Sequence, residues 1–118
     1  MQNTEISLNQ ARNSTVDSYS SRGSTAYEDP MNKNFLYGDI TVRFLRRIKF
    51  RPEDKRLLDI GCGTGFIFDV LYDKLKAGEI RSFGIEPASG MLKIADKKYK
   101  HQELFSVGEG SFEKIPFE

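Results

Sequence analysis

The sequence predicts an α/β fold in which helices cover both faces of a parallel sheet. Short apolar runs typical of strands alternate with amphipathic segments typical of helices, and a glycine-rich turn follows the first of these strands. Strands that alternate with helices form parallel crossover units, whose connections are right-handed in nearly all known cases.

The size and composition of the chain restrict its class. At 118 residues it holds at most one domain. With 18 Lys and Arg against 17 Asp and Glu the net charge is +1, so we expect no partner that is recognised by bulk charge, such as nucleic acid. One cysteine and one histidine leave neither an internal disulfide nor a zinc cluster, so no metal site is expected. No apolar run reaches the ~20 residues of a membrane span and no signal-peptide core is present, so we expect a soluble, cytoplasmic protein.

The chain divides into a polar segment and a domain. Residues 1–26 carry few, scattered apolar side chains among Ser, Thr, Asn and Gln, and we expect them to be flexible. The domain is predicted to span residues 27–118. Its first element is an amphipathic helix from about Met31 to Phe50, which cannot continue through Pro52. The apolar stripe of that helix consists of Tyr37, Ile40, Thr41, Phe44, Leu45 and Ile48.

A strand, a turn and a helix follow. Arg56–Ile60 is predicted as a buried strand, because it is too short and too closely bounded by glycine for a helix. The next helix is predicted from Phe66 to about Lys76, since apolar residues recur on one face and Gly78 stands at a natural C-terminal stop. Its inward stripe is Ile67, Val70, Leu71 and Leu75.

The second crossover repeats this pattern. Ile80–Glu86 is predicted as a strand that ends before Pro87, whose nitrogen carries no hydrogen for a ladder bond. From Ala88 or Ser89 to about Lys100 we predict a helix with Leu92, Ala95 and Tyr99 facing inward. Glu103–Gly108 is predicted as the third strand.

The stretch LLDIGCGTGF places Gly61, Gly63 and Gly65 at the end of the first strand. Ligands of open parallel sheets bind beyond the carboxyl ends of the strands. Glycine permits positive φ and lets a ligand lie against the main chain, while the amides that begin the next helix favour a carboxylate or phosphate. Glu86 ends the neighbouring strand, where an acid can accept both hydroxyls of a ribose. Together these features predict a nucleoside site, whereas a glycine turn alone would indicate only a tight turn.

Other features have less specific interpretations. The dinucleotide fingerprint G-x-G-x-x-G needs a third glycine where this chain has Phe66, which disfavours a nicotinamide cofactor. Cys62 is better explained as a small buried residue than as a reactive thiol. Two sets of basic residues are expected to form solvated helix faces rather than RNA or anion contacts. These sets are Arg43, Arg46, Arg47, Lys49, Arg51, Lys55 and Arg56, and Lys93, Lys97, Lys98 and Lys100.

The run Asp59-Ile60-Gly61-Cys62-Gly63-Thr64-Gly65 resembles the first motif of the class I S-adenosylmethionine-dependent methyltransferases. FGIEPASGML, Phe83–Leu92, resembles their second motif, and GSFEKIPF, Gly110–Phe117, resembles their third. The resemblance covers about Arg56–Phe117. It implies a Rossmann-like parallel sheet with helices on both faces, of which this chain holds only the first three of seven strands, and it implies S-adenosylmethionine as the cofactor.

The resemblance also implies the roles of individual residues. Asp59 and the backbone of the glycine loop would hold the amino and carboxylate end of the cofactor. Glu86 would take the ribose hydroxyls, and Met91 would pack near the adenine. Ser111 and Phe112 stand where the family has an Asp-Ala pair at the purine edge. The predicted cofactor-binding residues are Asp59, Gly61, Cys62, Gly63, Gly65, Glu86, Met91, Ser111 and Phe112.

The implied function is methyl transfer to an unidentified acceptor, with a small molecule as the default. The catalytic residues stay unknown, because the family's acceptor pocket and general base come mostly from the part beyond the third strand. The alternative is a non-catalytic S-adenosylmethionine-binding or assembly module that needs a partner chain. The first strand would have an unpaired edge, so we expect a homodimer, a partner chain, or a fragment of a longer enzyme.

Overall fold

The computed structural model describes residues 38–117 and, as isolated helical positions, Asn13 and Val16. The elements in order are helix α1 (Gly38–Arg46), strand β1 (Arg56–Ile60), helix α2 (Phe66–Ala77), strand β2 (Arg81–Ile85), helix α3 (Ser89–Tyr99) and strand β3 (Phe105–Gly108). These are the elements that the sequence predicts, with ends that differ by two residues at most, except that α1 ends at Arg46 and not near Phe50. The prediction that β1 is buried is wrong, because Leu58 and Ile60 are exposed where no further strand covers β1 among the described residues. Apart from the two isolated positions, the predictions for residues 1–37 lie outside the described residues.

The three strands form one sheet in the order β1-β2-β3, and both pairs are parallel. In this register Ile60 lies opposite Ile85, and Ile85 lies opposite Gly108. The carboxyl ends of all three strands therefore meet at one edge of the sheet. Helix α2 packs against β2, α3 packs against β3, and α1 packs against α2. The prediction of a parallel, Rossmann-like α/β fold is confirmed.

An aromatic cluster forms the centre of the core between α2, α3 and β3. The ring of Phe68 meets those of Tyr99 and Phe105 edge-on, at centroid distances of 5.5 and 5.4 Å. Tyr99 and Phe105 stack at 4.8 Å. Each such pair contributes about 0.5–1.5 kcal/mol beyond its area burial. The ring of Phe68 is completely buried, so this cluster fixes how the two helices sit on the sheet.

The buried faces of α2 and α3 differ in detail from the predicted stripes. On α2 the sequence predicted Ile67 and Val70 as part of the inward face, but both are half-buried, and Phe68 is buried instead. A Cβ on Gly84 would lie 3.1 Å from the Phe68 ring, so the bare backbone of β2 makes room for this side chain. On α3 the buried stripe is Met91, Ala95 and Tyr99, at intervals of four, and Leu92 is half-buried.

The predicted stripe of α1 is confirmed at Leu45 but wrong at Ile40, Thr41 and Phe44, which are exposed. Ile40 and Phe44 are 84% and 70% exposed, whereas Leu45 is buried and Val42 is half-buried. The helix packs against α2 through the Leu45 side, and Lys74 of α2 donates hydrogen bonds to the Arg46 carbonyl and, at 2.8 Å, to the Ile48 carbonyl. None of the helices described in residues 38–117 is long and apolar enough to cross a membrane.

Candidate functional site

The glycine loop, residues 61–65, is tied to the end of β2. The amides of Gly61 and Cys62 both donate to the carbonyl of Ile85, at 2.8 and 2.9 Å. These bonds close the gap between the carboxyl ends of β1 and β2 and hold the loop directly above them. The structure therefore places the loop where ligands of open parallel sheets bind.

All three loop glycines have positive φ, with values of 76° at Gly61, 56° at Gly63 and 91° at Gly65. L side chains rarely adopt this conformation. The space around the three residues differs. A Cβ on Gly61 would have nothing within 4 Å, whereas a Cβ on Gly65 would lie 2.8 Å from the Tyr99 ring. Gly61 thus leaves an open main-chain surface for a ligand, and Gly65 lets α3 pack against the loop.

Glu86 lies beside the loop immediately after β2, and its residue is 7% exposed. Its Oε1 accepts a hydrogen bond from the Gly63 amide at 3.0 Å, and its Oε2 accepts one from the Ala88 amide at 2.8 Å. A carboxylate offers about four lone-pair sites, so this anchored acid retains acceptors for a ligand. The sequence placed Glu86 near the loop, but it gave no sign that the loop amide itself holds the acid.

Asp59 lies on β1 opposite Gly84, and its Oδ2 atom is buried. Among residues 38–117 this oxygen has no hydrogen-bond partner, and neither does the buried Oγ1 of Thr64. Burial, and then the negative charge of Glu86, raise the pKa of Asp59 to about 6. A buried polar atom without a partner costs free energy, so this arrangement favours a ligand that brings a positive hydrogen-bond donor.

Cys62 and Met91 are buried next to the glycine loop. The Cys62 thiol is buried, and burial, followed by the charges of Asp59 and Glu86, raises its pKa to about 12. It is therefore a packing group and not a nucleophile. Its Sγ lies 2.9 Å from where a Cβ of Gly84 would stand. Met91 is buried, with its sulfur 3.8 Å from the corresponding position at Gly63.

Gly84 is a site-supporting residue that sequence reasoning missed. The available signal was a glycine inside a predicted strand, which often marks a close approach of another group.

The two remaining predicted residues lie in a turn after β3. Ser111 and Lys114 exchange two backbone hydrogen bonds of 3.2 and 3.0 Å, with Phe112 between them and 72% exposed. Ser111 lines a cleft of about 400 Å³ together with Glu109 and Pro87, the residue that follows Glu86 in the sequence. Phe112 is not among the residues that line this cleft, and its contact with a purine stays a prediction.

A second cavity, of about 640 Å³, lies at the amino ends of the strands. Two lysines in its lining bond the main chain: Lys55 donates to the Gly78 carbonyl at 3.2 Å, and Lys74 donates to carbonyls at and just after the end of α1. Arg51 pairs with Asp54 at 3.0 Å. The predicted basic face is exposed, and one of its lysines, Lys55, bonds a main-chain carbonyl.

The fold defines a Rossmann-like α/β domain with a glycine loop at the carboxyl ends of its strands, and comparison with known proteins makes the class more specific. Residues 58–118 match the family described as "Methyltransferase domain". The chain belongs to this methyltransferase family, as its three motifs implied.

A curated relative is the ubiquinone/menaquinone biosynthesis C-methyltransferase UbiE of Campylobacter jejuni, 31% identical over 62 residues. The match covers 50% of this chain but 26% of the relative, so the chain corresponds to about a quarter of that protein's length.

Two solved structures share the fold. One is a complex between the Haloferax volcanii Trm112 methyltransferase activator and the putative methyltransferase, with a TM-score of 0.57 and 23% identity over 86% of this chain and 41% of that one. The other is the CMeT domain of the citrinin polyketide synthase, with a TM-score of 0.52 and 16% identity over 77% of this chain and 29% of that one. At these identities the likeness shows the fold alone.

Proposed function

We propose that this chain is the cofactor-binding part of an S-adenosylmethionine-dependent methyltransferase. The observation that carries the proposal is the pair of acids at the glycine loop: Glu86 is anchored by two backbone amides, and Asp59 has a buried oxygen without a partner among residues 38–117. Two carboxylates beside an open stretch of main chain suit a ligand that carries a positive charge and a ribose.

The residues present fit S-adenosylmethionine. Asp59 would accept a hydrogen bond from the amino group, which pairs the orphaned oxygen. The main chain at Gly61 would receive the methionine end, since no atom stands within 4 Å of the missing Cβ. Glu86 would hold the ribose hydroxyls, and Met91 and Ser111 would flank the adenine. When bound, this cofactor supplies a methyl group activated by its sulfonium.

Calorimetry with the full chain tests the proposal. We expect heat of binding with S-adenosylmethionine and with its demethylated product, S-adenosylhomocysteine, and none with NAD. The absence of binding by both adenosyl compounds, in protein shown by circular dichroism to be folded, would contradict it. Binding of NAD alone would replace the methyltransferase proposal with a nicotinamide site.

For the acceptor we propose a small molecule, in a protein of the cytoplasm. The curated relative is named for ubiquinone and menaquinone biosynthesis, which supports a small-molecule acceptor over a protein or a nucleic acid. Radiolabelled methyl transfer, offered in parallel to quinone precursors, tRNA and a protein extract, distinguishes these classes. Label in the tRNA or protein fraction alone would overturn the choice.

A second candidate function is an S-adenosylmethionine-binding module that works only with a partner chain. The Haloferax volcanii complex, in which the methyltransferase-like chain is bound to an activator protein, favours this candidate. Leu58 and Ile60 on β1 support it, because they are 41% and 48% exposed. Methyl transfer by the chain alone would exclude this candidate, and transfer only after a partner is added would support it.

A further inference from the structure

Lys98 differs from the other lysines of α3. The sequence predicted that Lys93, Lys97, Lys98 and Lys100 share a solvated face, but only Lys98 among these four is half-buried. Its Nζ donates to the Thr64 carbonyl at 2.9 Å and to Asp69 Oδ2 at 3.0 Å. A lysine at the end of one helix thus reaches the middle of the glycine loop, 34 positions earlier in the chain.

The Thr64–Gly65 peptide is held from both sides. A trans peptide is planar, so its carbonyl and its amide hydrogen point in opposite directions. Here the Thr64 carbonyl accepts from Lys98, while the Gly65 amide donates to the Cys62 carbonyl at 2.9 Å. With both groups paired, this peptide cannot rotate without losing a hydrogen bond. The left-handed geometry of Gly65 is fixed in the same way.

Asp69 holds Lys98 in position. It lies in the first turn of α2, and its two carboxylate oxygens accept from Lys98 and from the Tyr99 hydroxyl. The ion pair is partly shielded, with side-chain exposures of 26% for Lys98 and 32% for Asp69. Because the Tyr99 ring also fills the space beside Gly65, α3 packs against the loop at the same point where Lys98 reaches it.

We propose that Lys98 is a positioning residue that holds the glycine loop in its ligand-binding conformation, an inference that rests on the proposed S-adenosylmethionine site. It touches no ligand in this role. It fixes the Thr64–Gly65 peptide, and the loop so fixed presents the Gly63 amide to Glu86. Loops rich in glycine lose much conformational entropy when they order, so a clamp of this kind lowers the cost of ordering at the moment of binding.

Hydrogen exchange on the ligand-free full chain tests the clamp directly. In Lys98→Met we expect the Gly63 and Gly65 amides to exchange about tenfold faster, because hydrogen bonds that involve a charged group are among the stronger ones. The Ser82 amide, bonded to the Leu104 carbonyl at 2.8 Å within the sheet, serves as the internal reference and should not change. Lys97→Met, one position away and exposed, is the matched control.

Calorimetry with S-adenosylhomocysteine provides the second measurement. We expect an affinity about tenfold weaker in Lys98→Met, unchanged in Lys97→Met, and partly restored in Lys98→Arg, whose guanidinium can bond both the carbonyl and the carboxylate. Unchanged loop exchange in Lys98→Met would overturn the inference, and so would an equal acceleration at Ser82, because that would assign Lys98 to general stability. If loop exchange rises but the wild type binds no S-adenosylhomocysteine, the clamp stands and the proposed function fails.

Discussion

At the residue scale, Glu86 has two tasks: it accepts two backbone hydrogen bonds, and it is the acid assigned to the ribose. Glu86→Ala removes both, and it leaves the Gly63 and Ala88 amides without their partner, which costs about 1–3 kcal/mol for each buried donor. Glu86→Gln keeps one amide acceptor and the side-chain shape, and it removes the charge. Comparison of the two variants therefore separates the loss of a scaffold from the loss of a binding group.

We expect Glu86→Gln, which leaves one of the two amides without an acceptor, to lose less stability than Glu86→Ala. It should bind S-adenosylhomocysteine about tenfold or more weakly, since a hydrogen bond to a charged group contributes roughly 1.5–3 kcal/mol. Glu86→Ala should lose both stability and affinity. Calorimetry and thermal unfolding measure the two effects, and Glu103→Ala, an exposed acid ahead of β3, is the control. Wild-type affinity in a folded Glu86→Gln would remove this residue from the site.

Asp59 gives the site a pH dependence. Its pKa is about 6 in the fold, against an ordinary value of about 3.9 in an unfolded chain, so the folded state holds the proton more tightly. Stability is therefore lost as the pH rises from about 4 to about 6, and the loss persists above that range. We expect Asp59→Asn to be more stable than the wild type at pH 7, and the difference to disappear near pH 4, by thermal unfolding across this range.

The Asp59 carboxylate should have the opposite effect on ligand binding: the stability of the free protein falls as the pH rises, whereas the affinity for the ligand should increase. A bound amino group favours the ionised acid, so the affinity for S-adenosylmethionine should rise between pH 5 and pH 7 in the wild type. In Asp59→Asn the affinity should be weaker and nearly independent of pH in this window. Calorimetry on both proteins at several pH values measures this difference. Identical pH dependence in the two proteins would exclude Asp59 as the partner of the amino group.

The residues assigned to the ligand were easier to predict than the residues that support them. The glycine triplet, Asp59 and Glu86 follow from motif chemistry, because a ligand dictates their type and spacing. Gly84 and Lys98 act through distant parts of the chain: one makes room for Phe68 and Cys62, and the other reaches back to Thr64. A local sequence pattern gives little information on contacts of that kind: a glycine inside a strand signals a close approach but not its partner, and Lys98 resembles its exposed neighbours.

At the element scale, the loop between β1 and α2 has open space at Gly61, which is assigned to the ligand, and a packing contact at Gly65. Gly61 and Gly65 both have positive φ, so an Ala at either position costs about 1–2 kcal/mol in backbone strain. At Gly65 the new Cβ also meets the Tyr99 ring at 2.8 Å, and α3 must shift. At Gly61 the Cβ points into open space, which is the space assigned to the methionine end of the ligand.

We therefore expect opposite profiles from two conservative substitutions. Gly65→Ala should lower the unfolding temperature more than Gly61→Ala does, because only the former displaces a helix. Gly61→Ala should weaken S-adenosylhomocysteine binding beyond what its smaller loss of stability explains. Thermal unfolding and calorimetry on both variants measure the difference. If the two substitutions destabilise the fold equally, α3 does not depend on the bare backbone at Gly65.

The sequence predicted the helices but not which face of each helix is buried. On α3 the apolar residues allow a stripe through Met91 or through Leu92, and in the structure Met91 is the buried one, beside the glycine loop. On α1 the apolar residues surround much of the helix, so periodicity alone favoured Ile40 and Phe44. The helix contacts α2 through Leu45, which the stripe also included, whereas Ile40 and Phe44 are exposed.

At the scale of the whole molecule, β1 lies at one end of the sheet order, with β2 on one side of it. Its Leu58 and Ile60 are 41% and 48% exposed, and Leu58 lies opposite Phe83 in the register. A small cavity of about 330 Å³ opens beside them, lined in part by Ile115 and Phe117. An exposed apolar strand of this kind is a site at which another strand can add.

We expect the chain to associate through this edge, either with a second copy or with a partner chain. The mean mass from light scattering should rise with concentration in the wild type, and Leu58→Lys with Ile60→Lys should keep it at the monomer value, because charges on an edge strand oppose pairing. Ile40→Lys is the matched control, since Ile40 is also an exposed apolar residue but lies on α1. A wild type that stays monomeric at high concentration would exclude self-association. If only Ile40→Lys suppresses the rise in mass with concentration, the interface lies on α1 and not on the sheet.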